Sequence, residues 1–263
     1  MASLLLPLRA NANYKLFLIE FLAVFLWVTS TLFAYFLTAT PLLHSLSPSI
    51  RSLHPAYVFY SLLVALMAIW EIFGLALGST FNPCVTISLT LAGETAPIHA
   101  IVVIFAQFLA HIAAAFVVRI CANILHKDID GIFHPPQPHK HISYSKAVVI
   151  EALITALLCV VALSLKHIFH EKATFKKWSL MTMLVVAVLD VAGEWTGGCM
   201  NPAMSFALAV LEGHWAAHSV YWVGPMVGAV VAACMYNNIL RTRRRGIRER
   251  MRARKDRAAT KKI

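Results

Sequence analysis

Six long, nearly uncharged apolar runs constrain this chain more than any other feature: Leu16–Leu37, Ala56–Gly78, Ala100–Val118, Ala147–Leu165, Ser179–Ala192 and Ser219–Leu240. A hydrocarbon layer of about 30 Å takes about 20 apolar residues of α-helix to cross, and most of these runs have that length. With no water inside the layer, every backbone N–H and C=O must pair internally, which leaves only helices or closed barrels. Continuous apolar runs lack the two-residue alternation of a barrel strand, so the expected class is an all-α membrane protein. Composition agrees: 59% of residues are hydrophobic and 13% charged, against about a quarter charged in soluble domains. The fifth run is the shortest. The first is of span length and is not followed by a small-residue cleavage site, so it reads as a transmembrane helix rather than a cleaved leader.

The charge is concentrated at one end. Arg241–Ile263 carries 12 Lys or Arg against Glu249 and Asp256, which is +10 of the formal +11. Basic flanks stay cytoplasmic, so six spans place both termini on that side. Arg9 and Lys15 near the start agree, as do Lys166, Lys172, Lys176 and Lys177 between the fourth and fifth runs. The tail reads as a patch that draws anionic membrane lipid. Its Arg-x-Arg triplets also resemble signals for retention in the endoplasmic reticulum, and the absence of aromatic residues argues against nucleic-acid binding.

Neither the cysteines nor the histidines make a metal or disulfide pattern. Cys84, Cys121, Cys159, Cys199 and Cys234 are odd in number and lie in or beside apolar runs, where each reads as a small buried hydrophobe. The segment His134–His141, "HPPQPHKH", reads as a proline-stiffened loop in preference to a metal tract. No metal and no cofactor are expected.

The two halves of the chain repeat. "GLALGSTFNP" places Gly74 and Gly78 eight and four residues before Asn82, and "GEWTGGCMNP" places Gly193 and Gly197 eight and four before Asn201. Glu20 and Glu151 each lie early in the first run of their half. After each Asn-Pro comes an apolar segment too short to cross, Pro83–Ala92 and Pro202–Leu211. Three spans per half is an odd number, so the second half enters the membrane inverted. The two short segments then come from opposite sides as reentrant half-helices, each with Asn at the N-cap and Pro at the first helical position. The partition is 1–125 for the first repeat, 126–146 for the connection, 147–240 for the second repeat and 241–263 for the tail. Meeting tip to tip, the half-helices place about half an elementary positive charge each at the bilayer centre. The Asn82 and Asn201 amides are then expected to donate to one passing oxygen while the positive ends repel cations. A single Asn-Pro has a plainer reading as an ordinary helix cap; two with matched glycine spacing do not.

On these residues the chain resembles the aquaporin and glycerol-facilitator family, the major intrinsic proteins, from about Glu20 to Leu240. "MNPAMS", Met200–Ser205, looks like the family's second box, with Asn201, Pro202 and Ala203 as its core; "FNPCVT" looks like the first, with Asn82 and Pro83 followed by Cys84 where most members have alanine. "YWVGPMVGA" and "AQFLAHIAAA" resemble the sixth and third helices. The resemblance implies an aquaporin-like fold of six transmembrane helices plus two half-helices, a homotetramer, and a passive channel for water, with glycerol and hydrogen peroxide as further neutral solutes. Glu20 and Glu151 correspond to the family's buried glutamates. An intramembrane carboxylate needs partners, and the N–H groups of the reentrant loops supply them, so both are expected to support the loops.

One departure changes the expected filter. Water channels of the family carry arginine directly after the second Asn-Pro-Ala; this chain has Met204. By offset from the asparagines, the other constriction positions fall at Leu62, Leu189 and Gly198, a wholly apolar set. The changed first box, the missing arginine and the basic composition resemble the small basic intrinsic proteins of plants and the diverged intracellular channels of animals. That implies residence in the endoplasmic reticulum membrane rather than the plasma membrane. The alternative to a channel is a non-conducting membrane scaffold that retains the fold. An enzyme is the poorest reading, since the intramembrane polar residues form no nucleophile and base pair.

Overall fold

The computed structural model describes residues 10–40, 58–66, 69, 78–125, 133–168 and 174–239. Its regular elements are α1 (Ala10–Ala39), α2 (residues 58–66), α3 (Pro83–Leu91), α4 (Pro97–Leu125), α5 (Tyr144–Ile168), α6 (Thr174–Thr196), α7 (Pro202–Glu212) and α8 (Val220–Ile239). Among the described residues, five helices are long and apolar enough to cross a membrane, and α2 is the described part of the second expected run. Gly74, most of the rest of that run and the basic tail 241–263 lie outside the described residues. The observed helices overrun the apolar stretches. α1 begins at Ala10 and α6 continues to Thr196, because helical hydrogen bonding extends into polar flanks such as Asn11–Lys15 and Glu194.

Polarity is arranged inside out, as lipid requires. Ile101, Phe105, Phe116, Ile120 and Ile124 of α4 are exposed, whereas Glu20, Asn82, Gln107, His111, Glu151, Thr155 and Asn201 are buried. The inward face of α4 is small: Ala106, Ala110, Ala114, Ala115 and Ala122. Small residues let backbones approach closely, which is how helices associate in lipid without a hydrophobic driving force. α4 accordingly packs along α1, meeting Ala23, Val24, Val28, Leu32 and Phe36. α8 and α5 cross closer still. A Cβ on Gly228 would lie 2.4 Å from the Ala152 carbonyl oxygen, and one on Gly224 would lie 2.8 Å from that of Val148.

The half-helices are exchanged between the halves. α7, with Ala207 and Leu208, buries its apolar side in the α1–α4 cluster of the first half. α3, with Cys84, Val85 and Leu89, packs among Leu158, Cys159, Leu163, Val188 and Ala229 of the second. The proline-rich connection lies over the loop before Asn201: His139 N donates to Trp195 O at 2.8 Å, and Pro136 Cβ sits 3.0 Å from where a Gly197 Cβ would be. Gly197 has φ +82°, a conformation that a side chain disfavours and that Pro136 leaves no room to fill. Among the described residues no group of three or more His, Cys, Asp or Glu is placed to hold a metal.

An aromatic cluster ties α4, α7 and α8 together. Phe108 stacks on Trp222 at 5.5 Å, Phe206 meets both rings edge-on, and Trp215 meets His218 edge-on at 4.9 Å. Trp222 Nε1 donates to His218 Nε2 at 2.8 Å, so that nitrogen must be bare. His218 precedes the membrane span of α8, and burial among the rings holds its pKa below the ordinary histidine range. The unfolded chain therefore takes up the proton first as pH falls. Stability present above the ordinary histidine pKa is lost as pH falls from that value toward the lower folded one. The apparent melting temperature in detergent should drop as pH falls through and below the ordinary histidine value of about 6.5, and more steeply for the native chain than for His218→Phe. Equal slopes would show that His218 contributes nothing to this dependence.

Candidate functional site

Each half-helix starts on the same local device. Asn82 and Asn201 have extended backbones at the N-cap, with Pro83 and Pro202 at the first helical position, where a missing N–H costs nothing. Asn82 Oδ1 accepts from Cys84 N at 2.8 Å and Asn201 Oδ1 accepts from Ala203 N at 3.0 Å. Those bonds fix which end of each amide is nitrogen, and point both Nδ2 groups away from their own helix.

The loops leading to the tips hang on the two glutamates in matching registers. Glu20 accepts from Thr80 N at 3.1 Å and Phe81 N at 2.8 Å, the two residues before Asn82. Glu151 accepts from Cys199 N at 3.1 Å and Met200 N at 2.9 Å, the two before Asn201. Hydroxyls add to each: Ser79 Oγ donates to Glu20 at 2.7 Å and Thr196 Oγ1 to Glu151 at 2.7 Å. Glu20 also accepts from Gln107 Nε2 at 2.6 Å. Non-helical backbone at membrane depth needs such partners because lipid offers none.

At the tips the halves bond across. Asn82 Nδ2 donates to Met200 O at 2.9 Å, and Asn201 Nδ2 to Phe81 O at 3.4 Å. The carbonyls point across because Phe81 and Met200 are left-handed, with φ 60° and 51°. Bulky residues visit that region at a cost of about 1–2 kcal/mol. The glutamate bonds to the N–H groups of the same two residues hold them there. Asn82 and Asn201 are buried to 8% and 5% exposure, so each tip has only a narrow solvent face. Two positive helix ends and their amide donors thus converge on one spot.

Of the residues expected in the filter, Gly198 and Leu189 are neighbours: a Cβ on Gly198 would lie 3.4 Å from Leu189 Cδ2. Met204, three residues beyond Asn201, packs against the α1–α4 cluster, and Leu62 is half-buried on α2. Cys84 is fully buried, while Cys199 is partly exposed and its thiol donates to Asn201 O at 3.2 Å.

The sequence reading assigned no role to several residues at this spot. His111 on α4 is fully buried, with Nδ1 2.8 Å from Gln107 O and Nε2 3.3 Å from Asn201 Nδ2. Trp27 packs edge-on against both Phe81 and His111, and among the described residues its buried indole Nε1 has no hydrogen-bond partner. Farther out, Arg119 pairs with Glu212 and joins the end of α4 to the end of α7. The available signal was an ionisable side chain inside an apolar run, His111, four residues and so one helical turn after Gln107.

Comparison with known proteins bears on the family and the fold. The Major intrinsic protein family model matches residues 8–236. Aquaporin-2 of Botryotinia fuckeliana (strain B05.10) is 35% identical over 197 residues, covering 73% of this chain and 49% of its own. Aquaporin TIP4-1 of Zea mays is 30% identical over 164 residues, covering 62% of this chain and 61% of its own. The chain thus spans roughly half to three-fifths of these relatives' length. In three dimensions it is similar to the aquaglyceroporin from Plasmodium falciparum, with TM-score 0.66 at 18% identity over 87% of this chain and 97% of that one. The fold is therefore the aquaporin-like, all-helical membrane fold. With a family match across nearly the whole length and two cross-bonded Asn-Pro tips, the chain belongs to the major intrinsic protein family.

Proposed function

We propose that the chain is a passive channel for water and for small neutral solutes such as glycerol or hydrogen peroxide. Its centre is the pair of opposed half-helix tips formed by Asn82, Pro83 and Cys84 and by Asn201, Pro202 and Ala203. The observation that carries the reading is the reciprocal bonding of each asparagine amide to the opposite loop's carbonyl, at 2.9 and 3.4 Å. Positive helix ends at this point oppose cations and hydronium while a neutral oxygen can accept from an amide. Leu62, Leu189, Gly198 and Met204 form the outer constriction, and Glu20 and Glu151 keep the loops in place. The protein assembles as a homotetramer in the endoplasmic reticulum membrane, both termini cytoplasmic, with the basic tail on anionic lipid.

The test is stopped-flow osmotic shrinkage of proteoliposomes, with glycerol and peroxide uptake measured in the same vesicles. Fluxes well above those of empty vesicles are expected; fluxes equal to them, from folded protein, would remove the channel. A second reading, a scaffold with no conduction, is favoured by the apolar filter positions and the slight exposure of both asparagines, and the same assay decides between them.

Met204→Arg carries a further expectation. A guanidinium at this position narrows the opening and adds a positive barrier with strong hydration, so glycerol flux should fall several-fold more than water flux. Equal losses of both would place Met204 away from the selective step.

A further inference from the structure

The two tips are alike in backbone and unlike in what their amides have left to give. Asn82 spends one N–H on Met200 O, and among the described residues its second N–H meets no acceptor. Asn201 has two acceptors facing its two hydrogens, Phe81 O at 3.4 Å and His111 Nε2 at 3.3 Å. The tautomer of His111 follows from its other nitrogen. Nδ1 lies 2.8 Å from Gln107 O, a carbonyl that can only accept, so Nδ1 carries the hydrogen and Nε2 is a bare acceptor. The ring is fully buried, and Trp27 stands edge-on to it with centroids 6.5 Å apart. The second half has no counterpart: four residues beyond Gln107 is His111, whereas four beyond Pro225, the position matching Gln107, is Ala229.

We propose that His111 is a positioning residue that sets the permeability of the channel by holding the side-chain amide of Asn201, so that a passing oxygen meets one free amide donor instead of two. This rests on the channel reading above and deepens it. An oxygen leaving water for the constriction surrenders hydrogen bonds, and each donor waiting there lowers the barrier. Withholding one neutral donor slows passage about tenfold, the effect of a single net hydrogen bond. The histidine also turns the amide away from a rotated, two-donor pose, which makes the second tip a fixed wall and leaves Asn82 as the working donor.

The experiment compares native protein, His111→Phe and His111→Gln in proteoliposomes by stopped-flow water flux per folded channel. Phenylalanine keeps the ring's bulk and lacks the acceptor; glutamine restores an acceptor oxygen at similar reach. Expected are a rise of about tenfold for His111→Phe and a return to the native rate for His111→Gln. A rise in both variants, or unchanged nonzero flux in His111→Phe, overturns the proposal and leaves the channel reading intact. Absence of flux from all three overturns the channel reading and this one with it. A readout independent of flux is 15N NMR of histidine-labelled protein in bilayers, with His111 identified by the signal missing from His111→Gln. Its Nδ1 should be protonated and its Nε2 bare; a protonated Nε2 would overturn the proposal even if the phenylalanine variant failed to fold.

Discussion

Glu20→Ala is expected to abolish recovery of folded, monodisperse protein, or to lower its apparent melting temperature by more than any other single change considered. The carboxylate accepts from Thr80 N, Phe81 N, Ser79 Oγ and Gln107 Nε2, and its side chain is nearly inaccessible. Alanine leaves these donors without that acceptor. The Ser79 hydroxyl can turn elsewhere, and Gln107 Nε2 retains Thr80 Oγ1 at 3.0 Å and Thr86 Oγ1 at 3.1 Å. The two backbone N–H groups have no such freedom. At about 1–3 kcal/mol for each orphaned buried group, their loss alone comes to about 2–6 kcal/mol, a large part of the 5–15 kcal/mol typical of a folded domain. A further loss follows from freeing Phe81 from its left-handed conformation, since the carbonyl aimed at Asn201 then relaxes. Glu151→Ala should be milder, because no glutamine joins its set. Fluorescence-detected size exclusion with a thermal ramp measures both. A Glu20→Ala protein that elutes and melts like the native one would show that the loop does not depend on this carboxylate.

The second large effect is expected at Gly228. A methyl group there would sit 2.4 Å from Ala152 O and 2.8 Å from Ala156 N, both backbone atoms of α5 that cannot swing aside. α8 and α5 would have to part along their crossing. That also loosens Gly224, whose Cβ position lies 2.7 Å from Glu151 Cβ, and with it the carboxylate under the second tip. Overpacking of this kind costs about 1–3 kcal/mol and sometimes more. Gly193→Ala is the internal comparison: it is helical, and a Cβ there meets nothing within 4 Å. It should be neutral or raise stability by about 0.4–1 kcal/mol through the unfolded chain. The same chemical change is thus expected to have opposite signs at two glycines, and similar melting temperatures for both variants would contradict the close crossing.

These expectations show how legibility divided along the chain. The Asn-Pro tips were readable because capping is local: the capping bond to the Asn82 side-chain oxygen comes from residue 84, and proline fits the next position whatever surrounds it. Phe81 and Met200 were not, since nothing in a phenylalanine or methionine announces a left-handed backbone. Their conformation is imposed by carboxylates 61 and 49 residues away in sequence. His111 was visible as an ionisable residue in an apolar run, but its partner Asn201 lies 90 residues on.

The sequence by itself determined that this chain lies in lipid, that its spans are helical, and that two short segments begin on capped prolines. Those outcomes depend on transfer of side chains from water and on hydrogen bonds within a turn or two, quantities that neighbouring residues settle. Only the tertiary structure decided that each half-helix packs in the opposite half, that the tips bond across to one another, and that their two amides are left unequal. Those bonds join residues 118 and 120 positions apart. Such pairings arise from the register in which helices cross, and that register depends on small faces such as Ala106–Ala122 and Gly224–Gly228 meeting their partners all at once.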